Sequence, residues 1–238
     1  MTTLRAPLEV IVNADDLGLS KHVNAEIFRL IDAGRVTSAT LIANGPAIEE
    51  ASRRTRDVPG VSFGAHLNLT EFAPLTGPRG LGPLVDADGG FLGNIRRVKI
   101  RAALRQAIRA EWNAQIGRLR ALGIDVSHID SHHHVHTIPG LFSTLKAVQR
   151  DSGIRRVRIS KNVFARRERP AMGLIARKAI WNAALRNYVR TKTTDAFTDL
   201  ATMIGGTPGE RPPGRTLELM VHPGSPVFAP ETAALEGE

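Results

Sequence analysis

A chain of 238 residues, 42% hydrophobic and 23% charged, carries enough apolar material for one large domain with an ordinary polar surface. It has no cysteine, which excludes disulfides, thiolate zinc sites and a cysteine nucleophile. The net charge of +9 admits nucleic acid or anionic lipid as partners, yet only 5% of residues are aromatic and they do not interleave with the basic runs Arg96–Arg120 and Arg155–Lys192. Arginines at helical spacing read first as solvent faces of helices, so no nucleic-acid partner is expected.

The N-terminus lacks a charged start followed by a long apolar run, and no stretch reaches the ~18 apolar residues of a membrane span. A cytoplasmic location is the default expectation. Leu8–Asn13 reads as a buried strand ending at Asp15-Asp16, with Ser20 as N-cap of a helix over His22–Ala33 and Gly34 as its stop. Thr37–Ala43 reads as a second strand, Ala47–Thr55 as a helix and Val61–Leu69 as a third strand. Thr70–Asn94 is Gly/Pro-rich and aperiodic, an insertion suited to a substrate lid. Ile95–Leu122 has the pattern of one or two amphipathic helices, Ile124–Ile129 of a fourth strand, and Pro139 opens a helix through Arg150. Arg155–Ser160 reads as a strand, Met172–Val189 as a helix, Ala196–Ile204 as a short strand or helix, Gly205–Gly214 as a loop and Leu217–Val221 as the last strand. The tail after Gly224 shows no clear element.

Alternating strands and helices predict an α/β fold with a mostly parallel sheet. In such folds the carboxyl ends of the strands share one side, where sites are built. Asp15, Asp16, Asn44, His66, the stretch HIDSHHHVH (His128–His136) and His222 all fall at predicted strand ends. That stretch holds five of the eight histidines, a density that marks a metal or catalytic candidate over a surface patch. Were the fourth strand to run through Ser131, His128, Asp130 and His132 would share a face, and Asp130 could hold the far nitrogen of a ligand histidine. His133, His134 and His136 are open between packing and direct chemistry, and His22 reads as a surface helix residue. A catalytic divalent ion takes about three nitrogen and carboxylate ligands and keeps an open position. In an Asp-Asp pair one carboxylate can hold the ion while the other takes a proton. Asn44 and Asn68 read as sugar-hydroxyl ligands or turn-closing residues.

NADDLGLS (Asn13–Ser20), VTSATLIANGPA (Val36–Ala47), GAHLNLT (Gly64–Thr70), HIDSHHHVH and LMVHPG (Leu219–Gly224) together resemble the YdjC-like carbohydrate deacetylases. That family includes chitooligosaccharide deacetylases and HpnK-type hopanoid deacetylases. The resemblance runs from about Val10 to Gly224 and implies an irregular (β/α) barrel like the polysaccharide deacetylase (NodB-like) barrel, as one domain over 1–238 with an insertion at about 70–94. It implies metal-dependent removal of an acetyl group from an N-acetylated sugar or glycolipid. Carried over by motif, the metal ligands are Asp16, His66 and His132, holding one Mg2+ or Zn2+. Asp15 takes the position of the base, His222 that of the acid, and Arg158 that of an arginine orienting the base. Family members often continue beyond the HPG motif into a further helix, whereas this chain ends soon after it. Other readings stay open: a metal-dependent hydrolase of another amide or of a phosphoester, or a basic nucleic-acid or anionic-lipid binding protein with a structural metal. Membrane-surface contact and a homodimer are likewise open.

Overall fold

The computed structural model describes residues 7–165, 168, 170–188, 190–205 and 212–237. Seven strands are β1 (Glu9–Leu17), β2 (Ser38–Leu41), β3 (Ser62–Leu67), β4 (Val126–Ser131), β5 (Arg156–Val157), β6 (Ala196–Asp199) and β7 (Thr216–Val221). The helices are α1 (Lys21–Asp32), α2 (Ile48–Arg54), α3 (Ala102–Ala121), α4 (Phe142–Ser152), α5 (Met172–Asn187), α6 (Leu200–Ile204) and α7 (Ala229–Glu236). The strands lie in the order β5-β4-β3-β2-β1-β7-β6, and every pairing is parallel. In a flat sheet β5 and β7 would stand five strands apart, about 24 Å at the usual strand spacing. Yet Arg158, directly after β5, bonds Glu218 of β7 at 2.6 Å. The sheet therefore curls on itself as an irregular barrel, and residues after β5 meet β6 through the Asn162 N–H to Phe197 carbonyl bond of 3.2 Å.

The inner face follows the two-residue period of a strand. Asn13 and Asp15, Ser38 and Thr40, Gly64 and His66, His128 and Asp130, and Glu218 and Met220 point inward and touch one another across the barrel. The outer face carries the apolar core under the helices, with Ile27, Phe28 and Leu30 of α1 and Ile108, Trp112 and Leu119 of α3 fully buried. Each buried leucine or isoleucine there is worth about 1.5–3 kcal/mol. Ser20 caps α1 by accepting the Val23 N–H at 3.1 Å, as its position before the apolar pattern predicts.

Several boundaries differ from expectation for identifiable reasons. The α3 helix starts at Ala102 rather than Ile95, after a 3-10 turn at Ile95–Arg97. Ile95 reaches the core from that turn, and Val98 and Ile100 from the segment after it, so their apolar spacing is met without an α-helix. The fifth strand stops at Val157 because both backbone groups of Ser160 are taken by the Asn182 side chain, at 2.8 and 3.0 Å. Ala196–Ile204 is a strand followed by a helix. The tail carries α7, opened by Pro230 in its first turn. The 70–94 stretch is anchored by buried Leu81, Leu84 and Phe91. Residues 206–211 of the Gly/Pro loop and Val189 lie outside the described residues. Among the described residues, no helix is long and apolar enough to cross a membrane.

Gly64 shows how tightly the interior is filled. A Cβ there would stand 2.5 Å from His128 Nε2. Gly64→Ala is expected to cost about 1–3 kcal/mol as overpacking, read from the urea midpoint. An unchanged midpoint would contradict the packing described.

Candidate active site

Two consecutive strand residues normally point to opposite faces. Asp15 and Asp16 escape this because the β1–β2 register shifts between Ala14 and Leu17 and Asp16 adopts φ 71. Aspartate tolerates this left-handed conformation better than most residues. Both carboxylates consequently reach the carboxyl-end mouth of the barrel.

Asp16 there meets two histidines. Its Oδ1 lies 3.2 Å from His66 Nε2 and 2.8 Å from His132 Nδ1. Asp16, His66 and His132 each place one ligand atom within 4.8 Å of the others. Two nitrogens and a carboxylate oxygen at this spacing form a donor set suited to a divalent ion with an open position. On the far side of His66, Nδ1 lies 2.7 Å from Asp130, which also accepts from Thr40 at 3.0 Å. That partner fixes the ring and leaves Nε2 facing Asp16. Burial lowers the His66 pKa, but Asp130 and Asp15 outweigh it and raise it to about 10. An ion bound by His66 must therefore displace a proton.

Asp15 is held differently. Arg158 donates to both its oxygens at 2.7 Å, and Asn13 donates to Oδ1 at 2.8 Å. Arg158 also lies 2.8 Å from Asp130 and donates through Nε to Glu218 at 2.6 Å. Burial pushes the Asp15 carboxyl upward, but the Arg158 charge overrides it and holds the group below the ordinary range. Asp16 lies well below it too: hydrogen bonds from His132 and His66 outweigh its burial. Glu218 is raised by burial against the pull of Arg158.

His222 follows β7 at the same mouth. Its ring stacks on Phe228 with centroids 4.3 Å apart, and its Nδ1 lies 3.5 Å from the buried Glu231. Burial lowers its pKa, but Glu231 and then Asp15 and Asp16 raise it above the ordinary histidine value.

The remaining histidines separate into distinct settings. His136 is buried and His128 half-buried, and desolvation pushes both down to about 4. His136 is a packing residue, between Ser131 Oγ and the Arg158 carbonyl. His134 packs against Phe197, and His133 reaches Thr70 Oγ1 at 3.0 Å. Both have left-handed backbone, φ 51 and 53, and the His133 ring lies against that of His132 with centroids 4.0 Å apart.

Asn44 and Asn68 do not reach the site as free ligands. Asn68 Oδ1 accepts from Thr70 and Glu71, while its amide donates to Asn44 Oδ1 and the Glu71 carbonyl. Asn44 donates to the Glu71 and Ala73 carbonyls. Their side chains shape the loop after β3, the turn-closing alternative for these two residues. Sequence reasoning missed Glu218, Glu231, Thr40, Asn13 and Glu71. One signal was available: Glu218 is the lone charge in the apolar strand LELMV.

The profile of the family described as YdjC-like protein matches residues 9–238. A carbohydrate deacetylase of Geobacillus stearothermophilus is 42% identical over 140 residues, covering 59% of this chain and 55% of that protein. A chitooligosaccharide deacetylase of Escherichia fergusonii is 39% identical over 148 residues, covering 61% and 57%. The match thus spans little more than half the length of these curated relatives. The crystal structure of an Enterococcus faecalis V583 protein, described as a candidate for cellobiose-phosphate cleavage, superposes with a TM-score of 0.71. It is 24% identical and covers 97% of this chain and 90% of that one, a likeness of fold.

Replacing Arg158 by methionine would leave Asp15, Asp130 and Glu218 buried without their cation. The expected loss is about 3–5 kcal/mol at pH 7. In the native protein the lowered Asp15 and Asp130 stabilise above the unfolded carboxylate pKa, and this is lost as pH falls through their folded values. In the variant, burial raises these carboxyls with no Arg158 to offset it, so they take up protons between pH 7 and pH 4. Urea unfolding at the two values should therefore show the deficit shrinking in acid. An equal deficit at both values would contradict the electrostatic account.

Proposed function

Because the chain belongs to the YdjC-like protein family, we propose that it is a metal-dependent carbohydrate deacetylase. It hydrolyses the acetamido group of an N-acetylated sugar, as an oligosaccharide or glycolipid, to acetate and a free amine. The observation that carries this reading is the pairing of two carboxylates in different states of restraint. Asp15 is clamped by Arg158, while Asp16 shares its oxygen with His66 and His132. The names of the relatives, carbohydrate and chitooligosaccharide deacetylase, support the same reaction.

Asp16, His66 and His132 would hold the ion, and their two nitrogens favour zinc over magnesium. A divalent ion held there would supply Lewis acidity toward the acetyl carbonyl and the attacking water. Asp15 is ionised at neutral pH and takes the proton from water, kept in one orientation by the two-pronged grip of Arg158. His222 has the complementary bias. Its pKa is raised, which favours the protonated form that donates to the departing amine, a poor leaving group otherwise. Glu231 beneath the ring holds that charged form.

Acetate release from N-acetylglucosamine oligomers and glycolipids, before and after chelation and with zinc restored, tests the reading. Chelation is expected to abolish release and zinc to restore it. Asp15→Asn is expected to bind zinc normally but lose about 10²–10⁴ in kcat, whereas His66→Ala loses zinc and turnover together. Wild-type turnover by Asp15→Asn would remove the base assignment. No release from any N-acetylated sugar by the zinc-loaded protein would remove the deacetylase reading.

A further inference from the structure

Of the sixteen residues of α5, only Trp181, Asn182 and Leu185 are buried. The outward side of this helix is apolar as well. At about 100° per residue, Ala179, Met172, Ala183, Ala176 and Ile180 fall within an arc of about 100°. All five are exposed, and Asn187 joins that arc in the last turn. Met172 is 78% exposed, Ile180 71% and Tyr188, just past the helix, 58%. A helix that is apolar on two sides needs two apolar partners. The protein supplies the inner one, where the Trp181 and Phe142 ring centroids lie 5.2 Å apart. Three large apolar side chains exposed on one short stretch mark an interaction surface for the outer one.

Charge identifies the partner. The helix carries Arg177, Lys178 and Arg186 and no acidic residue, and residues 161–192 hold nine basic residues against one acidic. Arg177 and Arg186 are exposed and flank the apolar arc on its two sides. A second copy of the chain would set these cations against their own equivalents, with no acid on α5 to pair them. An anionic bilayer fits both features, because apolar side chains enter the acyl boundary while cations meet the headgroup phosphates. Tyr188, with an apolar ring and a polar tip, suits the same boundary.

The apolar arc also continues inward. Ile180 and Lys178 edge a cavity of about 660 Å³ whose walls include Phe142, Ile159, Trp181 and Phe197. Trp181 is 8% exposed, and its indole N–H is buried without a hydrogen-bond partner. A lipid offers both an apolar chain for these walls and acceptor oxygens for that donor.

We propose that α5 docks the protein on an anionic lipid surface, with Met172, Ile180 and Tyr188 entering the boundary and Arg177 and Arg186 facing the phosphates. The proposal is independent of the deacetylase reading.

The chain has no cysteine, so the full-length Met172→Cys variant takes a single environment-sensitive fluorophore. Its emission is expected to shift to the blue with vesicles of phosphatidylcholine and phosphatidylglycerol, and to stay unchanged with phosphatidylcholine alone. The same label in Ala25→Cys, at an exposed position of α1, should not shift. The unlabelled wild type should co-sediment with the anionic vesicles, and less so at high salt. The Met172→Ser/Ile180→Ser variant should bind them about tenfold more weakly or worse, at an unchanged urea midpoint because both side chains are exposed. Wild-type binding by that variant, equal shifts at the two labels, or binding that ignores lipid charge would overturn the proposal. So would a lipid-free dimer in sedimentation that Met172→Ser/Ile180→Ser dissociates, since the face would then belong to a second copy.

Discussion

The Arg158 guanidinium, buried among Asp15, Asp130 and Glu218, is the constraint on which the rest of the structure depends. A cation taken out of water is tolerated only when every donor is matched. The match requires Arg158, directly after β5, to meet residues of β1 and β7, strands that a flat sheet would keep far from β5, as well as Asp130 of the neighbouring β4. Barrel curvature and site assembly are thus one requirement. The same contacts leave Asp15 charged and immobile, and they seat Asp130 against His66, the histidine facing Asp16.

Charge balance connects this network to the metal. In the metal-free interior Arg158 and the raised His66 stand opposite Asp15, Asp16 and Asp130. A divalent ion held by His66 would take the place of that ring's proton. The acids of this interior also include Glu218, bonded to Arg158 at 2.6 Å. The backbone contributes as well, since only the turn at Asp16 brings adjacent carboxylates to one mouth.

Much of this was legible in the sequence. Ser20, the strand-end positions of Asp15, Asp16, His66 and His222, and the alternation of His128, Asp130 and His132 all follow from short-range rules. The histidine-rich stretch illustrates where such rules stop. Periodicity carries as far as His132, but left-handed backbone at His133 and His134 breaks it, and nothing in HHHVH signals that turn. His136 then returns to the interior as a packing group. Asn44 and Asn68 meet a related limit. A polar residue at a strand end binds substrate or closes a loop, and only the loop's own carbonyls decide which. Glu218 and Glu231 were passed over because their partners lie across the barrel or on a helix that short-range patterns do not reveal.

The most direct test of the account is the position of the first ion. Crystals of the full chain prepared with one equivalent of zinc, measured at the zinc absorption edge, would locate it by anomalous scattering. The account predicts a single peak among Asp16, His66 and His132, beside the Asp15 carboxylate held by Arg158. A first ion bound elsewhere, with those three side chains unligated, would contradict it.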